Sequence, residues 1–86
     1  MMKAKLTIGG PIGLHARPAA GFVRESERFR SDVRLTKDGM RVNGKSILAI
    51  LTLAAEAGSE VLLEVSGEDE QQAFAILKEK LEHCDT

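Results

Sequence analysis

The chain has 86 residues, of which 43% are apolar and 29% charged, and its formal net charge at pH 7 is -1. This composition predicts one small globular domain over residues 1–86 and excludes a disordered or membrane-inserted chain. The nearly balanced charge and the lack of Trp and Tyr remove the basic field and the stacking surfaces that nucleic-acid binding requires, so no nucleic-acid partner is expected.

The first predicted element is a strand over Lys3–Ile8, where apolar and polar residues alternate. Gly9, Gly10 and Pro11 follow it and end the strand. The lysines are interleaved with apolar residues, so this segment lacks the continuous apolar run of a signal peptide. The expected location of the protein is therefore the cytoplasm.

The next stretch predicts the start of a helix beside a histidine. Gly13 permits an unusual backbone angle, and Pro18 is tolerated only in the first turn of a helix. We therefore expect the first helix to begin near Ala16 and to end near Arg28. The first amides of a helix lack intrahelical partners and the helix dipole is positive there, so an anion carried on the His15 ring would be stabilised.

A β-hairpin is predicted next. Asp32–Lys37 alternates between apolar and polar residues, and Asp38-Gly39 is a strong signal for a tight turn into Met40–Asn43.

A short second helix is predicted after Gly44. Ser46 is well placed as its N-cap. The apolar residues that follow extend around most of the helix, and a short helix cannot bury all of them against one sheet. We therefore expect an exposed docking surface formed by Ile47, Leu48 and Leu51.

The last elements are a strand over Glu60–Ser66 and a helix. Asp69 and Gln72 resemble a capping box at the start of that helix, whose expected buried residues are Ala73, Phe74, Leu77 and Leu81. The order strand, helix, strand, strand, helix, strand, helix predicts an α+β fold, with three helices on one face of a four-stranded antiparallel sheet (βαββαβα).

The C-terminus carries the single cysteine, Cys84, which cannot form an internal disulfide and so fits a reducing compartment. Its neighbour His83 does not complete a metal site, because zinc requires more ligands than two. We expect a frayed, solvated terminus.

Two motifs together indicate a family: Gly-Leu-His-Ala-Arg-Pro-Ala at 13–19, and Asn-Gly-Lys-Ser-Ile at 43–47 followed by an apolar run. With the order of elements, they resemble HPr, the histidine-containing phosphocarrier protein of the bacterial phosphoenolpyruvate-dependent phosphotransferase system. The resemblance extends from about Ala4 to about Leu81. It implies an open-faced β-sandwich, in which a four-stranded antiparallel sheet carries three helices on one face.

The resemblance also implies roles for individual residues. His15 would receive a phosphoryl group from Enzyme I and pass it to sugar-specific acceptor domains, with Arg17 contacting the phosphate. Independently of the resemblance, the backbone amides of Ala16 and Arg17 at the helix start are expected to stabilise the phosphoryl group. Ser46 falls on the regulatory serine of the family, which a serine kinase/phosphorylase modifies, and the docking residues would be Ile47, Leu48 and Leu51. No metal or cofactor is implied, and the expected state is a monomer.

Ile12 is the one departure from the pattern of sugar-transport members, which often have a small polar residue there. An apolar residue at this position is more similar to the nitrogen-related branch of the family. Two hypotheses therefore stay open: a phosphocarrier in sugar uptake, or a regulatory interaction module whose phosphorylation state controls target proteins. A self-sufficient enzyme is not expected, because the sequence has no paired acid and base and no nucleotide-binding glycine loop.

Overall fold

The computed structural model describes residues 1–84. Its four strands and three helices follow one another in the predicted order: β1 (Met2–Thr7), α1 (Ala16–Glu27), β2 (Asp32–Lys37), β3 (Met40–Asn43), α2 (Ile47–Leu53), β4 (Glu60–Ser66) and α3 (Glu70–Glu82). The predicted fold is confirmed. Residues 85 and 86, which the predicted domain includes, lie outside the described residues.

The four strands form one antiparallel sheet in the order β1-β4-β2-β3. The pairs Ala4–Leu63 and Leu35–Leu63 set the register of the central strand β4 against its two neighbours. The hairpin between β2 and β3 is confirmed: Asp38 and Gly39 both have positive φ angles, of 51° and 81°, as a tight turn between twisted strands requires.

One apolar core lies between the sheet and the helices. The alternating residues predicted to face inward are buried in β2 and β4, and α1 and α3 contribute one buried stripe each; the core includes Leu6, Ile8, Phe22, Val33, Leu35, Val61, Leu63, Val65, Ala73, Leu77 and Leu81. Phe74 is only partly buried against it. Within residues 1–84, no helix is both long enough and apolar enough to cross a membrane.

The capping box predicted at the start of α3 is wrong. Asp69 is the N-cap residue, but its side chain makes no bond to the first turn of α3. The carboxylate instead accepts hydrogen bonds from the amides of Arg30 and Ser31, at 2.9 and 3.0 Å, and from the Ser31 hydroxyl at 2.5 Å. Asp69 therefore ties the loop between α1 and β2 to the start of α3.

The frayed terminus predicted at Cys84 is also wrong. Cys84 is 3% exposed and belongs to the core, and its thiol lies 3.1 Å from the carbonyl oxygen of Lys80. Close packing holds this end in place: the amide of Gly9 donates to the carbonyl of Leu81 at 3.0 Å, which brings the end of β1 against α3.

The carboxylate of Asp69 predicts a specific acid sensitivity. The Ser31 hydroxyl and the Arg30 amide hold its pKa below the ordinary value, so its stabilising effect is complete above the pKa of the unfolded chain and is lost as the pH falls through the lower folded pKa. We expect Asp69→Asn to be less stable than wild type at neutral pH, and to lose less further stability than wild type between about pH 5 and pH 2. Urea unfolding across this range measures both effects.

Asp32→Asn is the control for the loss of one negative charge, since Asp32 is an exposed carboxylate paired with Arg34 on the sheet. Equal acid-induced losses in wild type and Asp69→Asn would contradict the stabilising role assigned to the Asp69 carboxylate.

Candidate functional site

The loop before His15 packs against the segment that follows α2. Gly13 is buried with a φ of 76°, and a Cβ added to it would lie 2.5 Å from the backbone nitrogen of Ala57. The next residue, Leu14, is fully buried and donates its amide to the carbonyl of Ala55 at 2.8 Å. Glycine is required here both by the backbone angle and by the close approach of the two segments.

His15 is the N-cap residue of α1, with extended backbone angles, φ -128° and ψ 164°. Its ring is half-exposed and makes no hydrogen bond to the helix it caps. The predicted start of α1 at Ala16 and the place of Pro18 in its first turn are confirmed. The imidazole therefore lies at the start of the helix, but it does not stabilise the helix by a capping hydrogen bond.

Ala16 has a φ of 47°, although it is not a glycine. A left-handed conformation costs a residue with a Cβ about 1–2 kcal/mol, and such angles persist only where the surrounding structure imposes them. The strained residue lies immediately after His15, so the chain turns sharply into α1 at the position of the imidazole.

Arg17 is exposed on the first turn of α1. Within residues 1–84 its guanidinium forms no ion pair or hydrogen bond, so it can pair with an external anion. The amides of Ala16 and Arg17 belong to the same turn, where helix geometry provides no intrahelical acceptors. His15, Arg17 and these amides together form an electropositive site at the surface.

Ser46 is the N-cap residue of α2, as predicted. Its hydroxyl oxygen accepts a hydrogen bond from the amide of Ala49 at 3.3 Å, and the side chain is half-buried. Such a cap contributes about 1 kcal/mol to stability whether or not the hydroxyl is ever modified.

The expected exposure of the α2 side chains is confirmed. Ile47, Leu48 and Leu51 are 37%, 74% and 40% exposed, and we call these three residues the apolar patch. Ile50 and Leu53 of the same helix are buried in the core. Ile12 is another exposed apolar residue, at 51%, in the loop that leads to His15.

The two predicted sites lie toward opposite ends of α2. The bond from Leu14 to Ala55 brings the start of α1 to the end of α2, while the Lys45 ammonium, just before α2, donates to the carbonyl of Phe29 beyond the end of α1, at 2.8 Å. With a rise of 1.5 Å per residue, the seven residues of α2 span about 10 Å. The apolar patch therefore lies between Ser46 and the His15 loop.

Sequence reasoning missed the supporting segment at residues 55–57. The only sequence signal for this contact was Gly13. That glycine indicated an unusual backbone angle but did not identify the segment against which it packs. Within residues 1–84, no cluster of three His, Cys, Asp or Glu side chains could hold a metal ion.

Comparison with known proteins matches this arrangement to one family. The family model for the "PTS HPr component phosphorylation site" matches residues 2–83. The HPr-like protein Crh of Bacillus subtilis is 52% identical over 74 residues, which cover 86% of this chain and 87% of that protein. The crystal structure of HPr from Thermoanaerobacter tengcongensis superposes with a TM-score of 0.91 at 39% identity and covers 95% of this chain and 92% of the other.

Crh combines a higher sequence identity with a lower structural similarity. The crystal structure of Bacillus subtilis Crh is 48% identical and covers 94% of this chain and 93% of its own, but its TM-score is only 0.75. That structure is described as a dimer with a swapped domain. By TM-score, the present chain is closer to the Thermoanaerobacter structure with a TM-score of 0.91 than to this dimer.

Proposed function

The chain belongs to the HPr family of phosphocarrier proteins, and from this premise we propose that His15 accepts a phosphoryl group from phospho-Enzyme I and passes it to sugar-specific acceptor domains. The observation that carries the proposal is the half-exposed His15 ring at the start of α1, which makes no bond to the helix it caps. A histidine that served only as a cap would use its ring to bond the first turn.

The transfer needs a ring nitrogen with a free electron pair. That nitrogen attacks phosphorus, and the phosphorus–nitrogen bond forms as the bond between phosphorus and the donor breaks. The phosphoryl group then faces the amides of Ala16 and Arg17 and the Arg17 guanidinium, and each of these contacts contributes about 0.3–2 kcal/mol. Modest, solvent-exposed stabilisation suits a carrier, because a tightly held phosphoryl group could not be passed on.

The protein is proposed as a carrier and not as a self-sufficient catalyst. His15 returns to its starting state only when an acceptor removes the phosphoryl group. Both partners must therefore reach the same exposed ring in turn, which requires small interfaces that exchange rapidly.

The direct test incubates the protein with Enzyme I of the same source and labelled phosphoenolpyruvate. We expect a label that is stable in base and labile in acid, as a phosphohistidine is. A wild-type protein that stays unlabelled in the presence of active Enzyme I would rule out the carrier function.

A second function is favoured by the similarity to Crh, whose structures are described in terms of catabolite repression. In this alternative, the protein is a regulatory module whose phosphorylation at His15 or Ser46 controls binding to target proteins. Adding a sugar-specific acceptor domain to the labelled protein separates the two functions. Rapid loss of the label to the acceptor supports the carrier, whereas retention of the label supports the regulator.

We further propose that Ser46 is a site of regulatory phosphorylation by a serine kinase/phosphorylase. A phosphate adds a charge of about -1.5 to -2 at the N-terminus of α2, where the dipole favours it, so the domain should stay folded. Two phosphates separated by about 10 Å repel each other by about 1–2 kcal/mol in water, and salt weakens this further. The regulatory effect should therefore come mainly from charge placed beside the apolar patch.

This predicts how Ser46→Asp behaves toward Enzyme I. We expect weaker binding that rises only partly when the salt concentration is raised, and weaker binding for Leu48→Ala with little dependence on salt. Isothermal titration at low and high salt measures both variants. Full recovery of Ser46→Asp at high salt would show that long-range repulsion, and not the apolar patch, accounts for the effect.

We propose a cytoplasmic monomer. The dimers described for Crh of Bacillus subtilis and for HPr of Thermoanaerobacter tengcongensis are the alternative state. Light scattering over a range of protein concentrations distinguishes the two states, and a stable dimer would rule out the proposed monomer.

A further inference from the structure

Gly9 lies at the start of the loop between β1 and α1, where the chain approaches the C-terminal end of α3. Its φ angle is not positive, so the backbone conformation does not call for glycine. An added Cβ, however, would overlap the carbonyl oxygen of Glu82 and lie 2.7 Å from the carbon of that carbonyl. The close approach of two backbones therefore requires glycine at this position.

The amide of Gly9 also caps α3. The last four carbonyls of a helix have no intrahelical donor, and the carbonyl of Leu81, in the last turn of α3, accepts a hydrogen bond from the Gly9 amide at 3.0 Å. A Cβ on Gly9 would push the two backbones apart and weaken this bond. Gly9 thus anchors the first end of the loop on α3.

The second end of the loop is anchored on the segment that follows α2, where Gly13 packs against Ala57. Between the two anchors, residues 10–12 are exposed, and within residues 1–84 their backbones make no hydrogen bond. The ring of Pro11 restricts the φ angle at the middle of this stretch. The loop is therefore a short bridge between two fixed points, and His15 lies two residues beyond the second of them.

We propose that Gly9 is a positioning residue for phosphoryl transfer at His15, because it allows the end of α3 to hold the loop that leads to the imidazole. Nonbonded carbon atoms are in contact at about 3.5–4.0 Å, so a Cβ on Gly9 must move the loop by about 1 Å. Consecutive Cα atoms are about 3.8 Å apart, and a bridge of three residues with a restricted Pro11 has little slack to absorb that movement.

The inference rests on the proposed function and deepens it, since the rate of transfer to His15 is what Gly9 controls. The experiment follows single-turnover transfer from phospho-Enzyme I by rapid quench over a range of protein concentrations. We expect Gly9→Ala to lower the maximal rate of transfer about five- to tenfold, because a misplacement of about 1 Å costs up to about 100-fold in rate. The half-saturating concentration should change by less than about twofold, since Arg17 and the apolar patch are untouched.

Gly44→Ala is the matched control for a loss of stability. Gly44 also lacks a positive φ angle, and an added Cβ would lie 2.5 Å from Cγ1 of Val33. It precedes α2, at the end of that helix opposite to the His15 loop. Thermal unfolding should show a lower Tm for both variants, by about 5–15 °C, because each overpacks a close contact. Only Gly9→Ala should slow the transfer.

Pro11→Gly tests the bridge without adding an atom to a packed contact. Pro11 is exposed, so this variant should fold, with a Tm about 2–6 °C lower because the unfolded chain gains freedom. The freer backbone loosens the connection between the two anchors. We expect the maximal rate of transfer to fall about two- to threefold, with the half-saturating concentration unchanged.

A wild-type rate of transfer in Gly9→Ala overturns the inference, and so does a wild-type rate in Pro11→Gly, because the anchor at Gly13 would then position His15 alone. Equal slowing by Gly9→Ala and Gly44→Ala also overturns it, since a loss of stability would account for the effect. A wild-type protein that takes no phosphoryl group from Enzyme I overturns the carrier function itself.

Discussion

His15→Ala is expected to abolish phosphorylation by Enzyme I completely. The ring of His15 is the only proposed acceptor for this donor. Its loss removes the imidazole nitrogen that forms the bond to phosphorus, and the amide and guanidinium nitrogens that remain at the start of α1 are not nucleophilic. Because the ring makes no hydrogen bond to α1, its removal should change the stability of the domain by less than about 0.5 kcal/mol. The measurement combines labelling from phosphoenolpyruvate with urea unfolding.

His83→Ala is the matched control, because His83 is the only other histidine of the chain and is exposed beyond α3. We expect this variant to be labelled as wild type is. Labelling that persists in His15→Ala and disappears in His83→Ala would move the acceptor to the C-terminus and contradict the proposed site.

Gly13→Ala is expected to be the most destabilising of the proposed single substitutions. It adds a Cβ at a φ of 76°, and that atom would lie 2.5 Å from the backbone nitrogen of Ala57. Strain of about 1–2 kcal/mol from the backbone angle adds to about 1–3 kcal/mol of overpacking against a backbone that cannot rotate away. The loop must shift, so the rate of phosphorylation at His15 should fall ten- to hundredfold, on the order expected for a misplaced reacting group.

Gly58→Ala separates the two causes. Gly58 also has a positive φ, of 87°, but an added Cβ there would meet no atom within 4 Å. This variant should therefore show only the strain of about 1–2 kcal/mol, with normal labelling of His15. Urea unfolding measures the destabilisation caused by each variant. Equal values for Gly13→Ala and Gly58→Ala would show that close packing of Gly13 against Ala57 adds nothing to the strain of the backbone angle.

Most of the fold could be predicted from the sequence because its signals act over short distances. Alternation marks β2 and β4, the Asp38-Gly39 pair marks the hairpin, and Ser46 marks the start of α2. Each of these signals depends on residues within one or two turns of the chain, and such local preferences agree with the final fold in natural sequences. The exposure of the apolar patch followed from the same reasoning, since α2 is too short to bury every apolar residue it carries.

The mistaken predictions have a common physical cause. Asp69 carries the signal of a local cap, but its carboxylate bonds to Arg30 and Ser31, which lie 39 and 38 residues away in the sequence. Cys84 occupies a position where termini commonly fray, but packing buries it in the core. In both cases a partner distant in sequence competes with the local preference, and no pattern in the neighbouring residues identifies that partner.

The sequence by itself determined the helix start at His15, the N-cap at Ser46 and the order of the elements, because glycine, proline and capping residues restrict the backbone where they stand. Only the tertiary structure decided that Gly13 packs against Ala57 and that Asp69 is hydrogen-bonded to the distant Ser31. These features depend on which segments approach each other in space. That choice is made by the packing of the whole core, to which every element contributes.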